Sequence, residues 1–383
     1  MSFEFASAGR ILFGPGSLAL ASAEIQKWKG EIVLVRGKNR SRAGALLSQI
    51  PHPAFEIEIA GEPTVEQIRT AMQTLKGCSS PVVVAMGGGG VLDAGKAIAG
   101  LLTNPGDPLD YLEVIGKGRP IISRAAPLVA IPTTAGTGSE VTRNAVLTST
   151  ENKLKVSMRS HLLLPEIACV DPELTLSMPP ELTANTGMDA LAQVLEPFVS
   201  VAANPLTDAL CREGLRRARS LLRAFQDGAD ISARTDMAMT SLIGGIALAN
   251  AKLGAVHGFA SPIGGMFDAP HGAVCAVLLA PVMKANIRAL RARDPSSPLL
   301  ERYAQTAAIL TGRADAKPED GADWAADLCQ ALKISPLSSY GLRADHVEEV
   351  CSKAQKASSM KGNSIELTQG ELQEILTEAL AGC

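Results

Sequence analysis

The chain has 383 residues, 46% hydrophobic and only 3% aromatic, and a formal charge of −3. That length exceeds one ordinary core and makes two domains the expectation, while a near-neutral balance without a basic block argues against nucleic-acid binding. The N-terminal MSFEFASAGRILFG carries Glu4 and Arg10 and lacks the apolar core of a signal peptide. The longest apolar run, near Leu242 to Phe267, is broken by Asn250, Lys252 and His257, so no membrane span is expected. Seven irregularly spaced cysteines with no CxxC pair fit free thiols in a reducing cytoplasm better than a disulfide framework.

Taken in order, Ile11 to Phe13 read as a short strand ended by the Gly-Pro-Gly turn at 14–16, and Glu31 to Val35 as a buried strand. Phe55 to Ile59 alternates with glutamates, as an edge strand does. Thr64 and Gln67 form a capping box that opens a helix ending near Gly77. Pro81 to Met86 and Leu128 to Ile131 are strongly apolar strands, and Ala168 to Val170 is a weaker one. Strands alternating with helical segments imply a parallel α/β sheet.

Two loops follow strands and carry donors. Gly87 to Gly90 sit between a strand and a helix, where backbone N–H groups and the helix N-terminus favour a phosphate. The run is neither the dinucleotide fingerprint, since Leu92 stands at the third glycine's place, nor a P-loop, since Lys96 has the wrong spacing; a plain tight turn is the simpler alternative. The second loop, Ile131 to Glu140, offers Thr133, Thr134, Thr137 and Ser139 beside two glycines. Two donor-rich loops at strand ends suit a ligand with two phosphates, bound beyond the sheet.

After Pro179-Pro180 the strand pattern stops. Helical periods run over 183–198, 205–226, 231–251, 254–267, 271–290, 298–312, 319–333, 343–358 and 368–381. The expected domains are therefore 1–178, α/β and dinucleotide-binding, and 179–383, all-helical and holding metal and substrate. Within the second half, His257 and His271 each precede a glycine in an apolar stretch. Asp189 and Gln193 share a helix face at i, i+4 spacing. Each alone reads as a satisfied core or polar helix residue; together, carboxylate, carboxamide and two imidazoles make a divalent-metal set. With the phosphate loops in one half and these residues in the other, the cleft between the domains is the expected active site.

These motifs, GGGG-x-x-D-x-x-K, IPTTAGTGSEVT, MDALAQVLEPFVS and VHGFASPIGG…PHG, resemble the iron-containing alcohol dehydrogenase family in order and spacing from about residue 10 to 290. The resemblance implies the dehydroquinate synthase-like fold of that family, with an α/β N-terminal domain and an all-α C-terminal domain. It also implies NAD or NADP, a divalent metal such as Fe²⁺ or Zn²⁺, a small alcohol, aldehyde or oxo-acid substrate, and a homodimer. Gly88, Gly89, Gly90, Asp93, Thr133, Thr134, Ser139 and Lys155 match its cofactor positions. Asp189, His257 and His271 match three of four metal ligands, with His257 and His271 the catalytic candidates.

Four positions depart from the family pattern. Gly90 replaces a frequent Ser, Gln193 stands where His is usual, and Ser261 stands where a further His is common. An amide oxygen is a weaker and harder ligand than imidazole, which leaves open a weakly held metal, a preference for Zn²⁺ or Mn²⁺ over Fe²⁺, or an empty site. The maleylacetate reductases resemble this family and work without metal, so a metal-independent oxo-acid reductase is the alternative reading, with His257 or His271 donating the proton. A dehydroquinate-synthase-like lyase is the more distant one: it needs basic residues for an anionic substrate, and although Arg143 and Arg159 are available, the segment around His257 and His271 is nearly uncharged. At the ribose-reading loop the family often has Asp. Here Gly37 stands there, followed by Lys38 and Arg40, which favours NADP.

Overall fold

The structure is a computed structural model that describes residues 2–152 and 154–382. The chain divides into two compact units, one formed by Ala6–Thr134 with Gly138–Thr175, the other by Met1–Phe5, Ala135–Thr137 and Leu176–Cys383.

The first unit is built on a six-stranded parallel sheet of β1 (Arg10–Phe13), β2 (Glu31–Gly37), β3 (Phe55–Ile59), β4 (Pro81–Gly87), β5 (Leu128–Pro132) and β8 (Ile167–Val170), in the order β1-β8-β5-β4-β2-β3. Its inner strands carry near-continuous Val, Leu, Ile and Ala because both faces are covered. Val33, Val35, Val83, Ala85 and Ala130 pack on one side with Val65, Ile68 and helix Gly89–Thr103. Ile32, Leu34, Val82, Val84, Val129 and Ile131 pack on the other with Leu18, Ala21 and Ile25 of helix Ser17–Lys27. That alternation is the period of two of a pleated strand. The chain runs outward from β2 to β3 and returns to β4 on the other side of β2. This makes the carboxyl ends of β2 and β4 a topological switch point, where open α/β sheets bind ligands.

Sequence reasoning did not anticipate the antiparallel hairpin of β6 (Asn144–Ser149) and β7 (Leu154–Arg159). Its inward residues Ala145, Leu147, Val156 and Met158 join the core under helix Gly89–Thr103. The edge strand Phe55–Ile59 and the capping box of Thr64 and Gln67 are as expected; that helix closes at Thr74.

The second unit is helical. Helix Pro180–Phe198 lies at its centre and is buried almost throughout from Thr183. Against it pack helices Pro205–Ala218, Ile231–Ala251 and His271–Arg293, with Ala255–Met266 following the sharp break after Ala251. Lys252 turns that break with φ 62° and ψ 170°, an extended positive-φ conformation that suits glycine and costs a lysine about 1–3 kcal/mol. Helix His271–Arg293 is long and apolar enough to match a membrane span by composition, yet 89% of its most apolar window is buried among its neighbours, as in a core helix. Among the described residues five cysteines are free thiols; Cys329 departs from the free-thiol expectation and is disulfide-bonded.

In the α/β unit, the wholly buried Lys96 spends its ammonium on Asp93 Oδ1 at 2.9 Å, the Ser139 carbonyl at 3.0 Å and Thr142 Oγ1 at 2.8 Å. Three donors meet three acceptors, so the buried charge is fully bonded. Nearby Glu140 is only 2% exposed. Burial pushes its carboxyl from an ordinary 4.5 up to about 7, with its own backbone N–H and the Lys96 charge offsetting part of the rise. The folded state therefore keeps a proton that the unfolded chain releases, and stability falls as pH rises from about 4.5 to about 7. Glu140→Gln should remove that slope and raise stability at pH 8 by on the order of 2–3 kcal/mol. Urea unfolding at pH 5 and pH 8 checks this; an unchanged pH slope in the variant would refute it.

Candidate active site

The cofactor candidates gather at the carboxyl ends of β2, β4 and β5. Gly88 caps helix Gly89–Thr103, and Gly89 and Gly90 begin it, so unpaired N–H groups and the positive helix end face outward from the strand. Gly90 has a steric reason to replace Ser: a Cβ there would lie 2.9 Å from the Gly61 carbonyl and 3.0 Å from Pro63 Cδ. Thr133 N donates to the Gly87 carbonyl at 2.9 Å, joining the two loops. Asp93 and Ser139 bond each other, Ser139 Oγ donating to Asp93 Oδ1 at 2.6 Å beside the Lys96 ammonium. Their side chains thus brace the loops. Lys155, on β7, lies 3.6 Å from Glu62.

Gly37 ends β2, and Lys38 beyond it is exposed and makes no ion pair among the described residues. Arg40 is already engaged, gripping Glu56 through Nε and Nη2, while Arg36 holds Glu56 and Glu58. Arg40, with Arg36 behind it, holds the Glu56 carboxyl down at about 2. Of the two cations assigned to this loop from sequence, only Lys38 is uncommitted.

In the helical unit, the structure brings Asp189, His257 and His271 together and adds Cys275, all four ligand atoms lying within 4.8 Å of one another. Asp189 Oδ1 is 3.2 Å from His257 Nε2 and 3.7 Å from His271 Nε2; Cys275 Sγ is 3.7 Å from His271 Nε2 and 3.9 Å from His257 Nε2. Bonds of about 2.0–2.3 Å to a tetrahedral cation would space such donors by about 3.3–3.6 Å. The spacing and the oxygen, nitrogen and sulfur chemistry therefore fit a divalent cation. Asp189, His257 and Cys275 are buried, and the His271 side chain, 38% exposed, forms the open edge.

The charges in the cluster couple. Burial opposes ionisation of Asp189, but the two imidazoles outweigh it and hold the carboxyl below its usual range. Burial likewise opposes the Cys275 thiolate, and His271 with His257 still brings the thiol below its usual value. His257, despite burial, is raised by Cys275 and Glu196.

Gln193 sits at the helix position expected of a ligand, but its Nε2 donates to the Gly136 carbonyl at 2.9 Å, so half of its amide is spent on the backbone. Ser261 is exposed one turn after His257.

Sequence reasoning missed Glu196 and Cys275. Glu196 follows Asp189 by seven residues, two helical turns along the same face; Cys275 follows His271 by four. Glu196 Oε2 accepts a hydrogen bond from His257 Nδ1 at 2.6 Å, and Oε1 accepts from Val256 N at 2.7 Å in the first turn of helix Ala255–Met266. One carboxylate thus caps the helix and fixes the imidazole tautomer, turning Nε2 to Asp189. Gly254 permits the approach, since a Cβ there would lie 2.8 Å from Glu196 Oε1.

Known proteins resemble this chain along most of its length. Residues 8–172 match the family description iron-containing alcohol dehydrogenase, and residues 183–380 match the Fe-containing alcohol dehydrogenase family, C-terminal. Alcohol dehydrogenase 4 of Saccharomyces cerevisiae is 34% identical over 319 residues, covering 83% of this chain and 80% of its own. The crystal structure of a 1,3-propanediol oxidoreductase superposes with a TM-score of 0.88 at 30% identity, over 99% of this chain and all of its own. That of sulfoacetaldehyde reductase from Bifidobacterium kashiwanohense, in complex with NAD⁺, gives 0.88 at 26% identity over the full length of both. The chain belongs to the iron-containing alcohol dehydrogenase family and is an oxidoreductase acting on CH–OH groups.

Proposed function

We propose that this enzyme moves a hydride reversibly between a small alcohol or aldehyde and NADP(H) or NAD(H), with a divalent metal held in the helical unit. The observation that carries this reading is the cluster of Asp189, His257 and Cys275, all buried, with His271 at its open edge. The family expectation of a cytoplasmic homodimer goes with it. A bound cation supplies Lewis-acid polarisation of the alcohol or carbonyl oxygen. Asp189, His257 and His271 are the residues that would hold it. Glu196 keeps the His257 proton on Nδ1 and leaves Nε2 free to coordinate. Gly88, Gly89 and Gly90 present backbone N–H groups to the cofactor's diphosphate, and Thr133 and Thr134 add donors from the neighbouring strand end. Holding both reactants in fixed geometry is the protein's remaining contribution to rate.

NAD(P)H oxidation against a panel of short aldehydes, ketones and oxo acids tests the activity, before and after chelation. Turnover with aldehydes that is lost on chelation and regained with Zn²⁺ or Fe²⁺ is the expected result. Full turnover by stripped protein would remove the metal from the account and favour an oxo-acid reductase of the maleylacetate type. No turnover with any substrate would remove the reading itself.

Glu196→Gln should weaken metal binding by about 10–100-fold through loss of its outer-shell support of His257. Equilibrium dialysis against Zn²⁺ measures this; unchanged affinity in a folded variant would show that Glu196 does not act through the metal.

Cofactor choice rests on Gly37 and Lys38. No carboxylate occupies position 37 to repel a 2′-phosphate, and Lys38 is an uncommitted cation. Preference for NADPH should be about tenfold in kcat/KM. Gly37→Asp should reverse or abolish it, and the substitution is sterically open, since a Cβ would meet only Val91 Cγ2 at 3.8 Å. A native preference for NADH, or a ratio unmoved by Gly37→Asp, would contradict the assignment.

A further inference from the structure

We propose that Cys275 is the fourth protein ligand of the metal centre, taking the place that the sequence assigns to Gln193. The inference rests on the metal-binding reading above and deepens it. It stands on two observations.

Cys275 Sγ lies 3.7 Å from His271 Nε2 and 3.9 Å from His257 Nε2, on the same patch as Asp189 Oδ1, and all four ligand atoms fall within 4.8 Å of one another. Those separations are near the edges of a tetrahedron drawn on metal–ligand bonds of about 2.0–2.3 Å, so a cation could enter with only small side-chain shifts. Next, Gln193 has its amide nitrogen bonded to the Gly136 carbonyl at 2.9 Å and can offer only a neutral amide oxygen, a weaker donor to a borderline-soft cation than a thiolate.

The helix supplies the placement. His271 opens helix His271–Arg293, and Cys275 stands one turn later, so both side chains project from one face. Binding replaces the thiol proton by the metal and releases that proton to solvent, with no change of oxidation state. A thiolate donor favours borderline-soft cations such as Zn²⁺ and Co²⁺ over Mn²⁺ or Mg²⁺.

The test is cobalt substitution of the full-length protein, read by absorption and by bound cobalt per chain. The native protein should bind one Co²⁺ and develop the near-ultraviolet thiolate-to-cobalt charge-transfer band. Cys275→Ser should lose that band and bind Co²⁺ roughly tenfold or more weakly, in line with the loss of one ligand. Gln193→Ala should keep the band. Cobalt bound without the band, or a band that survives in Cys275→Ser, overturns the cysteine assignment and leaves the metal reading intact. No cobalt retained by the native protein overturns both. The native spectrum alone decides the point if a variant fails to fold.

Discussion

A carboxylate, two imidazoles and a thiol share one volume in the helical unit, and much of that unit's architecture follows from having to balance them. Isolated charges in such surroundings cost several kcal/mol each unless they are paired. Helix Pro180–Phe198 brings Asp189, and two turns later Glu196, to a single face. The break at Lys252 to Gly254 starts helix Ala255–Met266 where its first-turn N–H groups meet Glu196 and Asn363. His257 is thereby fixed at both ring nitrogens. The strained Lys252, the small Gly254 and the buried Glu196 are three parts of one device that points an imidazole.

The α/β unit meets a related demand with opposite means. Its ligand-facing loops are rich in backbone donors and hydroxyls, which suits a polar, multiply charged cofactor. Such loops are prone to move, and here they are tied from below. The buried Lys96 links helix Gly89–Thr103 to the Ser139–Thr142 segment, and Asp93 links back to Ser139. Residues that resemble cofactor contacts in sequence thus also hold the loops in register. Gly90 illustrates the same closeness, because the 61–63 turn leaves no room for a side chain there.

Much of this was legible in sequence where local chemistry is strong. The apolar runs Pro81–Met86 and Leu128–Ile131 became central strands, and nearly every helix of the second half begins within a few residues of its expected start. Pro and cap residues at 180, 204–205, 298, 318 and 368 explain that accuracy. The β6–β7 hairpin was missed because its alternation, Ala145, Leu147, Val156 and Met158 inward, is short and interrupted by polar residues. Cys275 and Glu196 were missed for a different reason. Each looks ordinary in its own segment, a small core residue and an acidic helix residue, and gains meaning only when other helices bring partners to it. The pairing of Arg40 with Glu56 was hidden likewise, since it joins a loop to an edge strand 16 residues away.

The proposed metal centre holds one divalent cation in the helical unit through Asp189, His257, His271 and Cys275. A crystal structure of zinc-loaded protein, with anomalous data collected at the zinc edge, measures it most directly. The account predicts a single peak per chain at bonding distance, about 2.0–2.3 Å, from those four donors. A peak bonded to Gln193 with Cys275 out of reach, or no peak in this cluster, would contradict it.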